Sequence, residues 1–592
     1  MKQNSFYRNG MILIPTASFD DCGGWFVDSE FILQMGAPYL LAHGLGLPVS
    51  DAVTRFSVPK KGTYHVYAYT YNWVSPWHED MTPGIFNVFV DKENTGEFGH
   101  TSSWSWEQGK DIVLEEGEHT VSLHDLSGFE GRCAYILLSS SDNQILPSGR
   151  DSLMSFYREM AGIGETETES EYDYIVIGGG MAGICSAVAA SRLGLRTAIV
   201  QDRLLVGGNN SSEVRVWLGG GTNYDPFPGI GNIVGEFEQK RIGHYGSVNK
   251  ADLYEDERKL SILEAEKNLT MYMGTELISS EMDGDKIASV ELWDYLNNRI
   301  FRISAPLYND ATGDGNLGAM SGADFEVTTN GHMGMTNMWY IEKTDNPHPF
   351  PRCPWAIDLS SAVFPGRGDT KDIYGHSREF SLGCWFWESG MTEDPIECAE
   401  RSRDLNFRAM YGAWDTLRNV DDDYQDYDLA YCSAIGGKRE SRRLLGDLVL
   451  TKADFRYTFP DACVPTTWNF DVHYPDKRFY SAFHEGDAFL TMDCREVFKG
   501  PYFLPYRCFY SRNVRNMFMS GRDASFSHDA SGTGRIMRTG GMMGEVTAYA
   551  ARLCIDHGCL PRDIYKSHLA QFLELLKSIE KKEVHKVGNT ID

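Results

Sequence analysis

The sequence predicts an α/β, Rossmann-like dinucleotide-binding fold with an inserted mixed α/β region, preceded by an all-β sandwich. Three observations predict it. A hydrophobic strand, Tyr174-Ile175-Val176-Ile177, runs into Gly178-Gly179-Gly180-Met181-Ala182-Gly183, then a small-residue helix from Ile184 to Leu193 and a second strand from Thr197 to Val200. Before residue 145, short alternating strands recur between turn signals, the rhythm of a sandwich. From about 325 to 500 the α/β rhythm disappears, and it returns with a strand from Val514 that ends in Gly521-Arg522-Asp523.

Each glycine of the G-x-G-x-x-G pattern has a physical task. Gly178 permits the tight turn, Gly180 lets a pyrophosphate approach the backbone, and Gly183 lets the helix pack close on the strand. The helix start, with Met181 and Ala182, offers free N–H groups to phosphate. A carboxylate usually ends the second strand and binds ribose hydroxyls. Here Gln201 occupies that position and Asp202 follows it, so either side chain is a candidate.

The remaining elements follow in order. In the first 145 residues the strands include Thr54–Val58, Thr63–Tyr69, Ile85–Val90, His119–Leu123 and Ala134–Leu138. Trp73, Trp77, Trp104 and Trp106 sit in or beside the intervening loops. They serve either sugar stacking or packing, and packing is the commoner use of such residues. A helical segment after Asp151 leads to the acidic run Gly162–Ser170, which reads as a linker. Residues Glu236 to Lys267 read as helix, and Tyr272 to Phe301 as a strand meander turning at Met282-Asp283-Gly284-Asp285. A buried strand then ends in Ala311-Thr312-Gly313-Asp314-Gly315. A Gly-Thr-Gly turn at 532–534 precedes a helix opening around Arg538–Glu545.

Composition narrows the function classes. The chain has 592 residues, 42% of them hydrophobic, with 55 Lys and Arg against 83 Asp and Glu, a net charge of −28. Such a field repels nucleic acid and anionic lipid. Met11-Ile12-Leu13-Ile14 is too short for a signal segment, and no stretch could span a membrane. The 12 cysteines form no C-x-x-C pair. Reduced thiols, a cytoplasmic location and no bound metal are expected.

Three separated pieces together resemble the FAD-dependent oxidoreductase family of the glutathione-reductase-like superfamily. They are the fingerprint with Gln201-Asp202-Arg203 and Gly207-Gly208-Asn209-Asn210-Ser211-Ser212-Glu213-Val214-Arg215, the Ala311–Gly315 turn, and Ser520-Gly521-Arg522-Asp523-Ala524-Ser525 before a C-terminal helix. The resemblance spans about 172 to 555. The run Gly117-Glu118-His119-Thr120-Val121-Ser122-Leu123 further resembles galactose-binding-like carbohydrate modules, which many family members carry in front. The resemblance implies FAD. Gly178, Gly180 and Gly183 would hold the pyrophosphate with Met181 and Ala182, and Gln201 or Asp202 with Arg203 the adenosine end. Gly208, Asn209 and Asp314 would line the channel, Asp523 would bond the ribityl chain or pyrophosphate, and Arg215 would face the flavin. A helix starting near Gly541 and Met542 would aim its positive end at the flavin edge. The implied division is 1–148 for the sandwich, 149–171 for a linker, 172–330 and 501–592 for the FAD-binding fold, and 331–500 for a substrate domain.

A flavin dehydrogenase needs a base, and a flavin reductase an acid. His528, followed by Asp529 as an orienting carboxylate, is the first candidate, or else a cofactor contact. His473 is the second, because Asp471-Val472-His473 puts Asp and His on one strand face. His332 and the His484-Glu485 pair are weaker. Arg439, with Arg443 one helical turn on, either clamps an anion or pairs with Asp447, Asp454 and Asp461. The expected activity is oxidation of a sugar or glycoside hydroxyl by hydride transfer to flavin N5. Alternatives are reduction of an activated double bond, as in fumarate-reductase-like proteins, and carbohydrate binding without turnover. Expected partners are a small-molecule substrate, with a carbohydrate first, and an electron acceptor that the sequence leaves open. A second copy of the chain is an open option; nucleic acid and membrane are not expected.

Overall fold

A computed structural model describes residues 4–141, 145–241, 249–372, 374–385, 387–476, 490–496 and 500–582. Its organising sheet has five parallel strands: β1 (Tyr174–Ile177), β2 (Thr197–Gln201), β3 (Leu269–Met273), β4 (Leu307–Asp310) and β5 (Met517–Met519). Their spatial order is β3-β2-β1-β4-β5. Both faces of β1 are covered, which is why its four residues are uniformly apolar and buried. Helix α1 (Met181–Arg192) joins β1 to β2. The long C-terminal helix α2 (Met537–His557) packs across it. Alanines, serines and glycines at that crossing are a steric requirement. A Cβ on Gly544 would lie 2.0 Å from the Ala182 carbonyl oxygen, and one on Gly541 2.6 Å from Val234.

The alternating stretch after β3 forms an antiparallel meander, Thr275–Asp283, Lys286–Asp294 and Arg299–Ser304. The acidic run read as a linker does not stay free. Thr168–Glu171 pairs with Arg299–Ser304 as a fourth strand, and Arg299, Arg302 and Arg158 meet the carboxylates of Glu169, Glu281 and Glu291. Basic partners distant in sequence supply the order that local composition lacks. The stretch from Glu236 to Lys267 is also more broken than its helical reading: its described residues hold α-helix at Asn232–Phe237 and Asp256–Glu264 and a 3-10 turn at Ala251–Tyr254. Residues 532–534 are not a turn but the end of helix His528–Gly534, which Ser527 caps by accepting the Ala530 N–H.

Residues 6–139 form two antiparallel sheets, one of seven strands and one of four, whose facing side chains share one core. The tryptophans of this module are used in packing. Trp73 is fully buried, donates to the Phe129 carbonyl at 2.9 Å and meets Trp355 edge-on with ring centroids 5.2 Å apart. Trp104 donates to Glu400 at 3.0 Å, and Trp106 to the Pro147 carbonyl at 3.0 Å. Trp77 lies under the guanidinium of Arg408, 4.5 Å from its ring centroid. The module and the region after residue 330 therefore share a hydrophobic core.

That junction is also ionic. The helix Ala399–Asp415 carries a fully buried Arg403 whose guanidinium pairs with Asp28 and donates to Tyr39 Oη at 2.7 Å. Arg132 from the module reaches back to Glu400 at 2.8 Å and to Asp404. Removing one partner of such a pair leaves a buried charge uncompensated. Asp28→Ala is therefore expected to lower unfolding stability by about 3–5 kcal/mol, read by denaturant titration. Among the described residues no helix is long and apolar enough to cross a membrane.

Candidate functional site

A cavity of about 850 Å³ opens at the carboxyl ends of β1, β2 and β4. This is where ligands bind in open α/β sheets, and its volume is near the upper end for small-molecule sites. Gly178 holds a φ of +104°, and a Cβ there would lie 2.3 Å from the Ala311 carbonyl oxygen. A Cβ on Gly183 would come within 1.8 Å of the Gly178 carbonyl oxygen, so α1 can approach the turn only with glycine there. Gly180 differs. No protein atom lies within 4 Å of the position its Cβ would take, and Gly180, Met181 and Ala182 line the cavity. Gly208 and Asn209 line it beside them.

A second helix start faces the same space. Ile536, Met537 and Gly540 line the cavity, and α2 begins at Met537 without a side-chain cap. The start expected near Gly541 is thus four residues too late. Gly541 packs against Val234 and Cys185, and Met542 is core. Two uncapped helix N-termini converge on one cavity, an arrangement suited to an anion.

The acceptors expected for the ribose separate. Gln201 is buried, its Oε1 accepting the Gly179 N–H at 2.6 Å and its Nε2 donating to the Leu205 carbonyl at 3.1 Å. Its amide ties the glycine turn to β2. Asp202 lines the cavity; burial pushes its carboxyl up, and Arg203 beside it pulls the other way. Arg203 lies 3.4 Å from Glu213. Asp314 also lines the cavity. Burial alone would raise its carboxyl, but Lys438 at 2.9 Å and Arg522 at 2.8 Å, with the Ser441 hydroxyl, hold it well below the ordinary range.

Other expected contacts fall elsewhere. Asp523 is fully buried behind Gly521 and Arg522, where burial and the neighbouring Asp310 push its carboxyl far up. Arg215 is not in the wall. Its guanidinium lies 3.5 Å from the Tyr431 ring centroid and donates to the Asn249 carbonyl and Tyr340 Oη. His528 is also outside the cavity, and its Nδ1 lies 2.8 Å from Glu440, not paired with Asp529. Arg439 and Arg443 are not helical neighbours, since the chain there is two short strands, Gly437–Lys438 and Arg443–Leu444. Arg443 pairs with Glu440, and the aspartates expected as its partners are taken: Asp447 by Arg562, Asp461 by Arg507, and Asp454 by Thr451. His332 is buried, and His484-Glu485 lies outside the described residues.

His473 and Arg439 do meet in the wall. The strand Phe470–Pro475 brings His473 Nε2 to 3.3 Å from Asp471, while Nδ1 bonds Glu388. Burial works against a charged imidazole and Arg439 repels it, yet Glu388 and Asp471 hold its pKa above the ordinary value. Arg439 donates to the Thr336 hydroxyl at 2.7 Å and lies 3.3 Å from Glu388. Arg535 lies 3.6 Å from Asp471 and completes the cluster. Trp217, Trp385, Trp468 and Tyr374 line the same cavity. Glu388, Lys438 and Arg535 carry no local motif, and sequence reasoning missed them.

A family model described as FAD dependent oxidoreductase matches residues 173–574. The chain belongs to that family. No curated protein sequence matches it. Among solved structures, the flavin-dependent monooxygenase PieE in complex with FAD and substrate is 15% identical, with 30% of this chain and 36% of that chain covered and a TM-score of 0.21. The chain thus spans about a third of that protein's length. A geranylgeranyl bacteriochlorophyll reductase-like protein from Thermoplasma acidophilum is 12% identical over 70% of this chain and 89% of that one, with a TM-score of 0.32. A family 35 carbohydrate binding module from Clostridium thermocellum is 12% identical over 23% of this chain and 97% of that one, with a TM-score of 0.17.

The residues present fit FAD, the group by which the family is described. Gly180 leaves open backbone where a pyrophosphate must approach, and the α1 N-terminus supplies its N–H donors. The start of α2 would supply a fixed positive end of the kind that an electron-rich flavin ring requires. The two glycines give opposite expectations. Gly180→Ala should leave the melting temperature of the flavin-free protein unchanged and weaken FAD binding at least about tenfold. Gly183→Ala should lower the melting temperature as well, because its Cβ collides with the protein's own backbone. Thermal melts with flavin absorbance after desalting test both.

Proposed function

We propose that this oxidoreductase oxidises a hydroxyl group of a sugar or glycoside. The observation that carries this reading is the pairing, in one cavity, of an aromatic wall with His473 held between two carboxylates. Trp217, Trp385 and Trp468 suit the apolar faces of a sugar ring. FAD supplies the hydride acceptor. In its neutral form His473, with its Nδ1–H donated to Glu388, takes the hydroxyl proton on Nε2, and Glu388 and Asp471 stabilise the imidazolium that results. Arg439 and Arg535 supply donors for neighbouring substrate oxygens. We further propose that residues 6–139 are a galactose-binding-like sandwich acting as a packing wall, because Trp73, Trp77, Trp104 and Trp106 are engaged within the molecule.

One observation favours a second reading, reduction of a double bond conjugated to a carboxylate. Arg439, Arg535 and a protonated His473 outnumber Glu388 and Asp471 by one charge, which suits an anionic substrate. Anaerobic mixing separates the two. A saccharide that bleaches the visible flavin band supports hydroxyl oxidation. A carbohydrate panel that leaves the flavin oxidised, with an enoate that reoxidises pre-reduced flavin, rejects it in favour of the second reading.

The pH profile is a further test. A base acts only when neutral, and the His473 pKa is raised above its ordinary 6.5. The oxidation rate should therefore be low in acid and rise through an inflection above pH 6.5, and His473→Asn should lose that inflection with at least about a hundredfold of kcat.

A further inference from the structure

Part of the cavity wall comes from outside the dinucleotide-binding fold. Glu30, Leu33 and Gln34 of the N-terminal module line it beside β2. This segment is anchored, since Glu30 Oε2 accepts the Gly436 N–H at 3.0 Å and Arg403 binds Asp28 just upstream. Glu30 acts electrostatically on Arg203, and Glu276 on Asp202, so both adjoin the end of β2 where the adenosine ribose of a dinucleotide lies.

Two polar groups at this end have no counterpart in the protein. Glu276 is 7% exposed and lines the cavity, yet its side chain makes no hydrogen bond or ion pair among the described residues. Gln34 Oε1 is shielded from solvent without a hydrogen-bond partner. Buried polar atoms are normally bonded, so the partnerless Gln34 Oε1, beside a cavity-lining Glu276 carboxyl, marks where a ligand completes the structure. Gln201, which holds the position usual for a ribose acceptor, has spent its amide on Gly179 and Leu205.

We propose that the N-terminal module is part of the FAD site: the segment Glu30–Gln34 closes the adenosine end of the cavity, and Gln34 and Glu276 make polar contacts to adenosine. Leu33 supplies an apolar surface for the adenine ring. Burial, with Asp202 and Asp314 nearby, pushes the Glu276 carboxyl well above its ordinary range, which favours the protonated form that both donates and accepts. Gln34 offers the same pair of functions through its amide. Adenine and ribose, neutral and rich in both donors and acceptors, match that chemistry. The inference concerns the cofactor and does not depend on the substrate.

The test measures FAD binding to the flavin-free full chain by flavin fluorescence, with ADP and FMN as competing half-ligands. Gln34→Ala and Glu276→Ala should each weaken FAD and ADP at least tenfold while FMN competes as in the wild type. Glu276→Gln, which keeps a donor and an acceptor, should restore FAD affinity to within about threefold. Unchanged FAD affinity in both alanine variants overturns the proposal. An equal loss for ADP and FMN also overturns it, because the residues would then act through the fold.

Discussion

The approach of helix α1 to the turn after β1 is the constraint on which the molecule depends. It is closer than any side chain permits: at Gly183 the Gly178 carbonyl stands where a Cβ would go, and at Gly544 of α2 the Ala182 carbonyl does. Because the two helices and β1 meet backbone to backbone, their N-termini open onto one cavity rather than onto solvent. The buried hydroxyls of Tyr174, Ser186 and Thr547 bond one another across the same junction, so these three are not stranded by the closeness. Relaxing any of these contacts would swing a helix dipole away from the cavity.

The charged cluster around His473 follows a different logic. Glu388, Arg439, Asp471, His473 and Arg535 come from four stretches of chain and are buried, or nearly so, with charges that alternate in space. Each is tolerated only because its neighbour compensates it. Such a network holds its members in place, which is what a proton-transfer group needs and what an isolated buried histidine lacks. Held on both ring nitrogens, His473 has its ring orientation set by the protein.

The N-terminal module stands to the catalytic body as a wall does to a room. Its tryptophans and buried arginine pairs face inward, merging its core with that of the region after residue 330. One short segment, Glu30–Gln34, reaches the cofactor cavity itself. A sheet pair built for packing thus also helps set the shape of the site.

Much of the central fold was legible in the sequence because its signals are local. The strand, Gly178–Gly183, the small-residue helix and the second strand occupy one short stretch, and Gly183 answers a steric demand, the Gly178 carbonyl, within that stretch. The antiparallel meander after β3 was legible from alternation for the same reason. The family match agrees with the FAD reading that the fingerprint and the Ala311–Gly315 turn supported. The sequence also placed His473 and Arg439 among the candidates. It did not separate them from His528 and Arg215, because which face of a strand or loop meets a cavity depends on residues far away. Only the tertiary structure decided that Glu440 binds His528 outside the cavity, that Tyr431 stacks on Arg215, and that Asp523 lies behind the wall. Glu388 and Arg535 show the limit most plainly. Isolated in the chain, they acquire a role only where folding brings opposite charges within 4 Å of each other and out of water.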